Sequence, residues 1–136
     1  MTLNIFGVGT DIVKNSRIKK HIKNKKFINR IFTSNEINDS KKIKQKVLFF
    51  SKRFAAKEAF AKSLGTGFTH NINFKDINIS KKKSGKPYFT LSNNLKIILK
   101  KKLKLKKIKI FLSLSDEREY SVAYVITQKI EWNKKL

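Results

Sequence analysis

The segment Arg53-Phe54-Ala55-Ala56-Lys57-Glu58-Ala59-Phe60-Ala61-Lys62-Ser63-Leu64-Gly65-Thr66-Gly67 decides how this chain is read. Its spacing predicts the second half of a long helix that runs from about Lys46 to Leu64 and stops at Gly65. Phe50, Phe54 and Glu58 step four residues at a time along one ridge, while Val47, Phe54 and Ala61 repeat every seven and mark the expected buried face. Glu58 is therefore expected at the edge of the core, where a carboxylate needs a cation or a metal because burying an unpaired charge is costly. Arg53 and Lys57 lie one turn apart with like charge, which mildly destabilises a helix unless an anion sits between them. Together these features point to a metal and an anionic ligand. The plainer alternative is an i,i+4 ion pair between Glu58 and Lys62 on a solvated helix.

Working outward, 136 residues suffice for one core and not for two, and no linker is visible, so a single domain over 1–136 is expected. No apolar run approaches the roughly 20 residues that a membrane helix needs. The N-terminus leads straight into a strand-like segment with no charged and apolar leader, so no secretory signal is read there. The absence of cysteine excludes disulfides and thiolate metal sites, and a cytoplasmic location with no membrane partner is expected. The formal net charge of +24 invites a nucleic-acid reading, yet of 33 basic residues only Arg17, Arg30, Arg53 and Arg118 are arginine. Arginine is the residue of base readout and bidentate phosphate recognition. A basic nucleic-acid- or ribosome-associated module stays as the alternative function, and acidic proteins are equally natural partners.

Along the chain, Asn4 to Val13 reads as a strand with glycines at points of close approach, and Gly7-Val8-Gly9 lacks the third glycine and following helix of a dinucleotide site. Asn15 to Lys26 is expected to be one short basic helix carrying Arg17, Lys19, Lys20 and Lys23, anchored by Ile18 and Ile22. Thr33-Ser34-Asn35-Glu36 matches a capping box that opens another short helix. Ile72, Phe74, Ile77 and Ile79 predict a strand with an irregularity near Asp76. A basic turn at Lys81 to Pro87 then makes a hairpin with Tyr88 to Leu91. A helix follows through Leu95, Ile98, Leu99 and Leu103, then two strands paired about the charged turn at Asp116 to Glu119. This order gives an α+β fold, a mostly antiparallel sheet packed against one long helix and shorter helices.

In that frame one packing contact can bring Asp11, at the far end of the first strand, to Glu58. Two carboxylates drawn close repel unless a cation joins them. Mg²⁺ fits, since it takes hard oxygen ligands and is commonly held by one or two carboxylates plus substrate phosphates. Zinc fits less well, because His21 and His70 have no ligand spacing and are read as structural or solvent-exposed.

Gly7-Val8-Gly9-Thr10-Asp11-Ile12-Val13 with Arg17-Ile18 resembles the opening motif of the holo-[acyl-carrier-protein] synthases, the small 4′-phosphopantetheinyl transferases. Arg53 to Lys62 with Gly65-Thr66-Gly67 resembles their second motif, Ser84-Gly85-Lys86-Pro87 their glycine-lysine-proline turn, and Ser113 to Ala123 their closing hairpin. The resemblance spans essentially the whole chain. It implies transfer of phosphopantetheine from coenzyme A to a serine of apo acyl-carrier protein, with release of adenosine 3′,5′-bisphosphate, in fatty acid biosynthesis. It implies Mg²⁺ on Asp11 and Glu58, which would act catalytically through the metal. Arg53, Lys57 and Lys62 would face phosphates. Gly65, Thr66, Ser84, Gly85, Lys86 and Pro87 would approach the nucleotide end of coenzyme A. It further implies a homotrimer with active sites between subunits. The basic helix around Arg17, Lys20 and Lys23 is matched to the acidic carrier protein. One departure stands out: Phe111 occupies a position where many relatives carry a histidine, and Asp116 one where some carry a second. The base is then expected to be a metal-linked water or a nearby carboxylate.

Overall fold

The computed structural model describes residues 2–131; residue 1 and residues 132–136, the ends of the expected 1–136 domain, lie outside the described residues. A long first strand, β1 (Thr2–Lys14), leads into three short helices, α1 (Asn15–His21), α2 (Lys25–Ile31) and α3 (Ser34–Ser40), and then the long helix α4 (Lys46–Ser63). A 3₁₀ turn (Phe74–Asp76) precedes the hairpin of β2 (Ile77–Lys81) and β3 (Pro87–Leu91). Helix α5 (Asn93–Leu103) and the strands β4 (Ile108–Asp116) and β5 (Tyr120–Glu131) complete the chain. The strands form two antiparallel sheets, β1-β5-β4 and β2-β3, so the expected α+β class with α4 as its main helix holds.

The crossing of β1 and α4 sets the position of the site. A Cβ on Gly7 would stand 1.8 Å from the Ser63 carbonyl oxygen, and one on Gly9 1.8 Å from that of Ala59. Only glycine lets the helix lie backbone-to-backbone on the strand. Two residues on from Gly9, Asp11 shares that inner face, and one turn of the helix carries Glu58 and Lys62 past it. Ser63 and Thr127 Oγ atoms, 2.8 Å apart, tie the same helix to β5.

Three expectations change. The basic segment forms two helices instead of one, because the Asn24 side chain accepts from the Lys26 N–H at 2.9 Å and caps a new helix there. Ile72 and Phe74 lie before the strand; the irregularity near Asp76 is the 3₁₀ turn that starts it. The stripe expected on α4 is too narrow: Ala55, Ala56 and Ala59 are fully buried with Ala61, whereas Val47 and Phe54 are only half-buried. Small side chains let this helix sit inside the molecule with most of its circumference covered. The capping box at Thr33 and Glu36 forms as read, and Gly65 ends α4 in the left-handed region at φ +77°.

The outer face of the three-stranded sheet is apolar and uncovered within one chain. Ile5, Val8 and Ile12 on β1 are 63%, 49% and 64% exposed, with Tyr124 on β5 and Phe111 on β4 beside them.

Candidate functional site

Asp11 and Glu58 come together as the sequence predicts, and Lys62 joins them, but not in the plain i,i+4 pairing with Glu58. Lys62 Nζ donates to Asp11 Oδ1 at 2.9 Å and to the Thr10 carbonyl at 3.0 Å, and no Glu58–Lys62 ion pair forms among the described residues. Glu58 is half-buried, and its carboxyl is held above the usual carboxylate range by that burial first and by the charge of Asp11 second, against the pull of Lys62. These three side chains line a cleft of about 720 Å³. Arg17, Lys26 and Arg30 make the rest of its charged rim, and Phe27, Ile31, Phe54 and Phe74 its apolar floor. Phe54 stacks on Phe74 with ring centroids 5.7 Å apart, so floor residues from α4 and the 3₁₀ turn form one surface.

The oxygen-only pair suits Mg²⁺ better than a transition metal. No group of three or more His, Cys, Asp or Glu side chains able to hold a metal occurs among the described residues. The Asp11 charge raises the proton affinity of Glu58, and a carboxylate pair so placed would supply part of a coordination shell of the kind that substrate phosphates and water complete.

Lys57 does not reach this cleft. Its ammonium is fully buried and donates to Glu36 Oε1 at 2.7 Å, to the Ile31 carbonyl at 2.7 Å and to the Phe74 carbonyl at 3.2 Å. A lysine has three N–H donors, and all three are engaged. Burial pulls its proton affinity down and Glu36 raises it. The anion expected between Arg53 and Lys57 is thus supplied from inside the protein, by Glu36. Arg53 is likewise enclosed, 3% exposed, with its guanidinium 3.6 Å from the Phe49 ring centroid. Neither cation lines the cleft, a correction to their reading as phosphate-facing.

The remaining expected residues fall into separate groups. Arg17 lines the cleft, while Lys20 and Lys23 are exposed away from its lining. Gly65 and Thr66 sit beyond the C-terminus of α4, and Ser84 to Lys86 lie in an exposed turn that leads into Pro87 at the start of β3 and is closed by Gly85 N–H to the Lys82 carbonyl at 2.8 Å. None of them lines the Asp11–Glu58 cleft of the same chain. Phe111 stands on the outward face of β4 across from Ile126, with β5 between it and β1. Asp116 pairs with Lys52 at 3.1 Å. Sequence reading missed Lys26, Phe27, Arg30 and Phe74. Arg30 carried a signal, since it and Arg17 are two of only four arginines in a lysine-rich chain. The two phenylalanines carried none, because nothing in their spacing separates a cleft floor from a core.

A small α+β domain with a strand-and-helix carboxylate pair over a basic-rimmed cleft describes a class of phosphate-transferring proteins. Residues 7–125 match the model of the 4′-phosphopantetheinyl transferase superfamily, and the chain belongs to that family. It is 55% identical over 127 residues to the holo-[acyl-carrier-protein] synthase of Pelagibacter ubique, covering 93% of this chain and 99% of the relative. The crystal structure of holo-[acyl-carrier-protein] synthase from Neisseria meningitidis superposes with a TM-score of 0.83 at 36% identity, covering 91% of this chain and 98% of that one. A Bacillus anthracis holo-(acyl-carrier-protein) synthase solved with coenzyme A (3′,5′-ADP) gives 0.78 at 34% identity, over 93% and 98%.

Proposed function

We propose that this chain is a holo-[acyl-carrier-protein] synthase, moving 4′-phosphopantetheine from coenzyme A to a serine of apo acyl-carrier protein for fatty acid biosynthesis. The observation that carries the reading is the convergence of Asp11, Glu58 and Lys62 on one cleft in a member of this superfamily. A nucleic-acid module would leave that convergence without a use.

Asp11 and Glu58 would hold Mg²⁺ there. Bound, the ion supplies neutralisation of charge on the pyrophosphate and on the leaving phosphate. Lys62, half-exposed on the cleft rim, is free to swing from Asp11 to a phosphate oxygen at little cost. Phe111 cannot accept a proton and faces away from Asp11 within its own chain, so the serine proton would go to a metal-linked water or to a nearby carboxylate.

A homotrimer is supported by two features. The exposed Ile5, Val8, Ile12 and Tyr124 make an apolar sheet face suited to a copy of the same chain. The residues expected at the nucleotide end, Gly65, Thr66 and Ser84 to Pro87, lie outside the cleft and could serve a neighbour's site instead. Ile12→Lys is expected to give monomers in light scattering together with loss of activity. The basic α1 face, with Arg17, Lys20 and Lys23, would meet the acidic carrier. Reversing Arg17 and Lys20 should raise KM for the carrier and leave coenzyme A binding intact. No helix of the described residues is long and apolar enough to cross a membrane, in keeping with a cytoplasmic enzyme.

The reading is tested by mass spectrometry of apo acyl-carrier protein incubated with the chain, coenzyme A and Mg²⁺. The expected result is the phosphopantetheine mass gain on the carrier. No gain with folded protein and a matched carrier would refute it.

A further inference from the structure

The buried hub at Lys57 is larger than an ion pair between two side chains. Lys57 Nζ reaches the carbonyls of Ile31 and Phe74, and both of those residues belong to the floor of the cleft. Glu36 extends the hub: its Oε1 also accepts from the Thr33 N–H at 2.9 Å, and its Oε2 from the Ile79 N–H at 2.8 Å. One ammonium and one carboxylate thus join the C-terminus of α2, the N-terminus of α3, the 3₁₀ turn and β2 to the helix that carries Glu58 on the next residue.

Stability alone does not account for such a hub. Removing two charges from water costs several kcal/mol per ion, and replacing buried pairs with apolar side chains is often neutral or stabilising. The pair does give direction. Ile31 ends α2, where carbonyls lack helical partners, and Phe74 lies in a turn of only three residues, where its carbonyl accepts a single turn-closing bond from the Ile77 N–H, so neither carbonyl has a long regular element to fix it. With Lys57 donating to both, Ile31 and Phe74 stand at a set distance from α4, and the rings of Phe27, Phe54 and Phe74 meet across the gap at 6.3 Å and 5.7 Å.

We propose that Lys57 and Glu36 are positioning residues for the reaction: through the carbonyls of Ile31 and Phe74 they set the apolar floor, beside Asp11 and Glu58, on which the carrier protein's serine-bearing surface is seated. This rests on the transferase reading. Neither residue touches substrate; both act through the α2 terminus and the 3₁₀ turn. The carrier is the affected substrate because the floor adjoins Arg17, on the basic α1 face assigned to docking.

Two variants separate positioning from mere charge balance. Lys57→Met leaves the Glu36 carboxylate buried and unpaired, so Tm falls. The double variant E36Q/K57M removes that stranded charge and is expected to regain most of the lost Tm, while KM for the carrier stays about tenfold raised and kcat changes little. If KM recovers together with Tm, the pair serves only charge balance and the proposal is overturned. Hydrogen exchange on the unaltered protein decides the case should both variants fail to fold. The amides of Phe32 and Asp76, in the two pinned segments, should exchange as slowly as those in the middle of α4; exchange orders of magnitude faster means that nothing pins them. An unaltered protein that transfers nothing would refute the transferase reading instead, and the exchange rates would still test the hub.

Discussion

Two lysines on the same helix, five positions apart, have opposite fates. Lys57 and Glu36 are both fully enclosed, with every ammonium proton given to a protein oxygen; Lys62 and Asp11 are 53% and 15% exposed at the side chain, and their pair opens onto the cleft. Residue type, helix and partner chemistry are the same, so the difference is burial. A closed pair has no capacity for a ligand and can only hold elements in place. An open pair is weak and exchangeable, and lends its charges to whatever enters.

The largest effect should come from removing the open side's carboxylates. Asp11→Ala and Glu58→Ala are each expected to lower kcat/KM by about 100-fold or more while leaving Tm close to that of the unaltered protein; a loss of fold in either would place them on the structural side of the comparison. Next comes Lys57→Met, expected to cost about 3–5 kcal/mol in denaturant unfolding because it strands a buried carboxylate. Its open counterpart, Lys62→Met, should cost less than about 1 kcal/mol of stability and yet reduce kcat/KM about tenfold. Equal stability losses in the two lysine variants would erase the contrast.

Smaller still is the effect of Phe111→His. Because that side chain faces away from Asp11 in its own chain, kcat should stay within about twofold, with any change falling on KM for coenzyme A; a tenfold rise in kcat would reveal a missing base. The smallest prediction concerns pH. The raised proton affinity of Glu58 means that the folded protein binds more protons than the unfolded chain just above the ordinary carboxylate range, so stability falls as pH rises through that window. Glu58→Gln, measured without metal, should therefore raise Tm at neutral pH, and the gain should shrink as the pH is lowered toward the ordinary carboxylate range.

The same contrast explains what was legible beforehand. The element order, the capping box at Thr33, the stop at Gly65 and the meeting of Asp11 with Glu58 follow from local chemistry and from glycines that permit a backbone crossing. The fate of Lys57 does not, since the anion it needs arrives from Glu36, 21 residues earlier, and no spacing rule joins a helix start to the middle of another helix. Lys57 and Lys62 look alike in sequence because burial is a property of the packed chain. The split of the basic segment at Asn24 was in principle readable as an N-cap, but the lysines around it gave the break no hydrophobic frame. The outer sheet face reads as ordinary strand alternation, and only the three-dimensional arrangement exposes it as an uncovered surface.

On the transferase reading, the open carboxylate pair would be part of a metal site that a phosphate ligand completes. Calorimetric titration of Mg²⁺ into the protein tests it directly, with and without coenzyme A. The expected result is binding at least about tenfold tighter when coenzyme A is present, lost in Asp11→Ala. Mg²⁺ affinity that is the same with and without coenzyme A, or that survives in Asp11→Ala, would contradict the account.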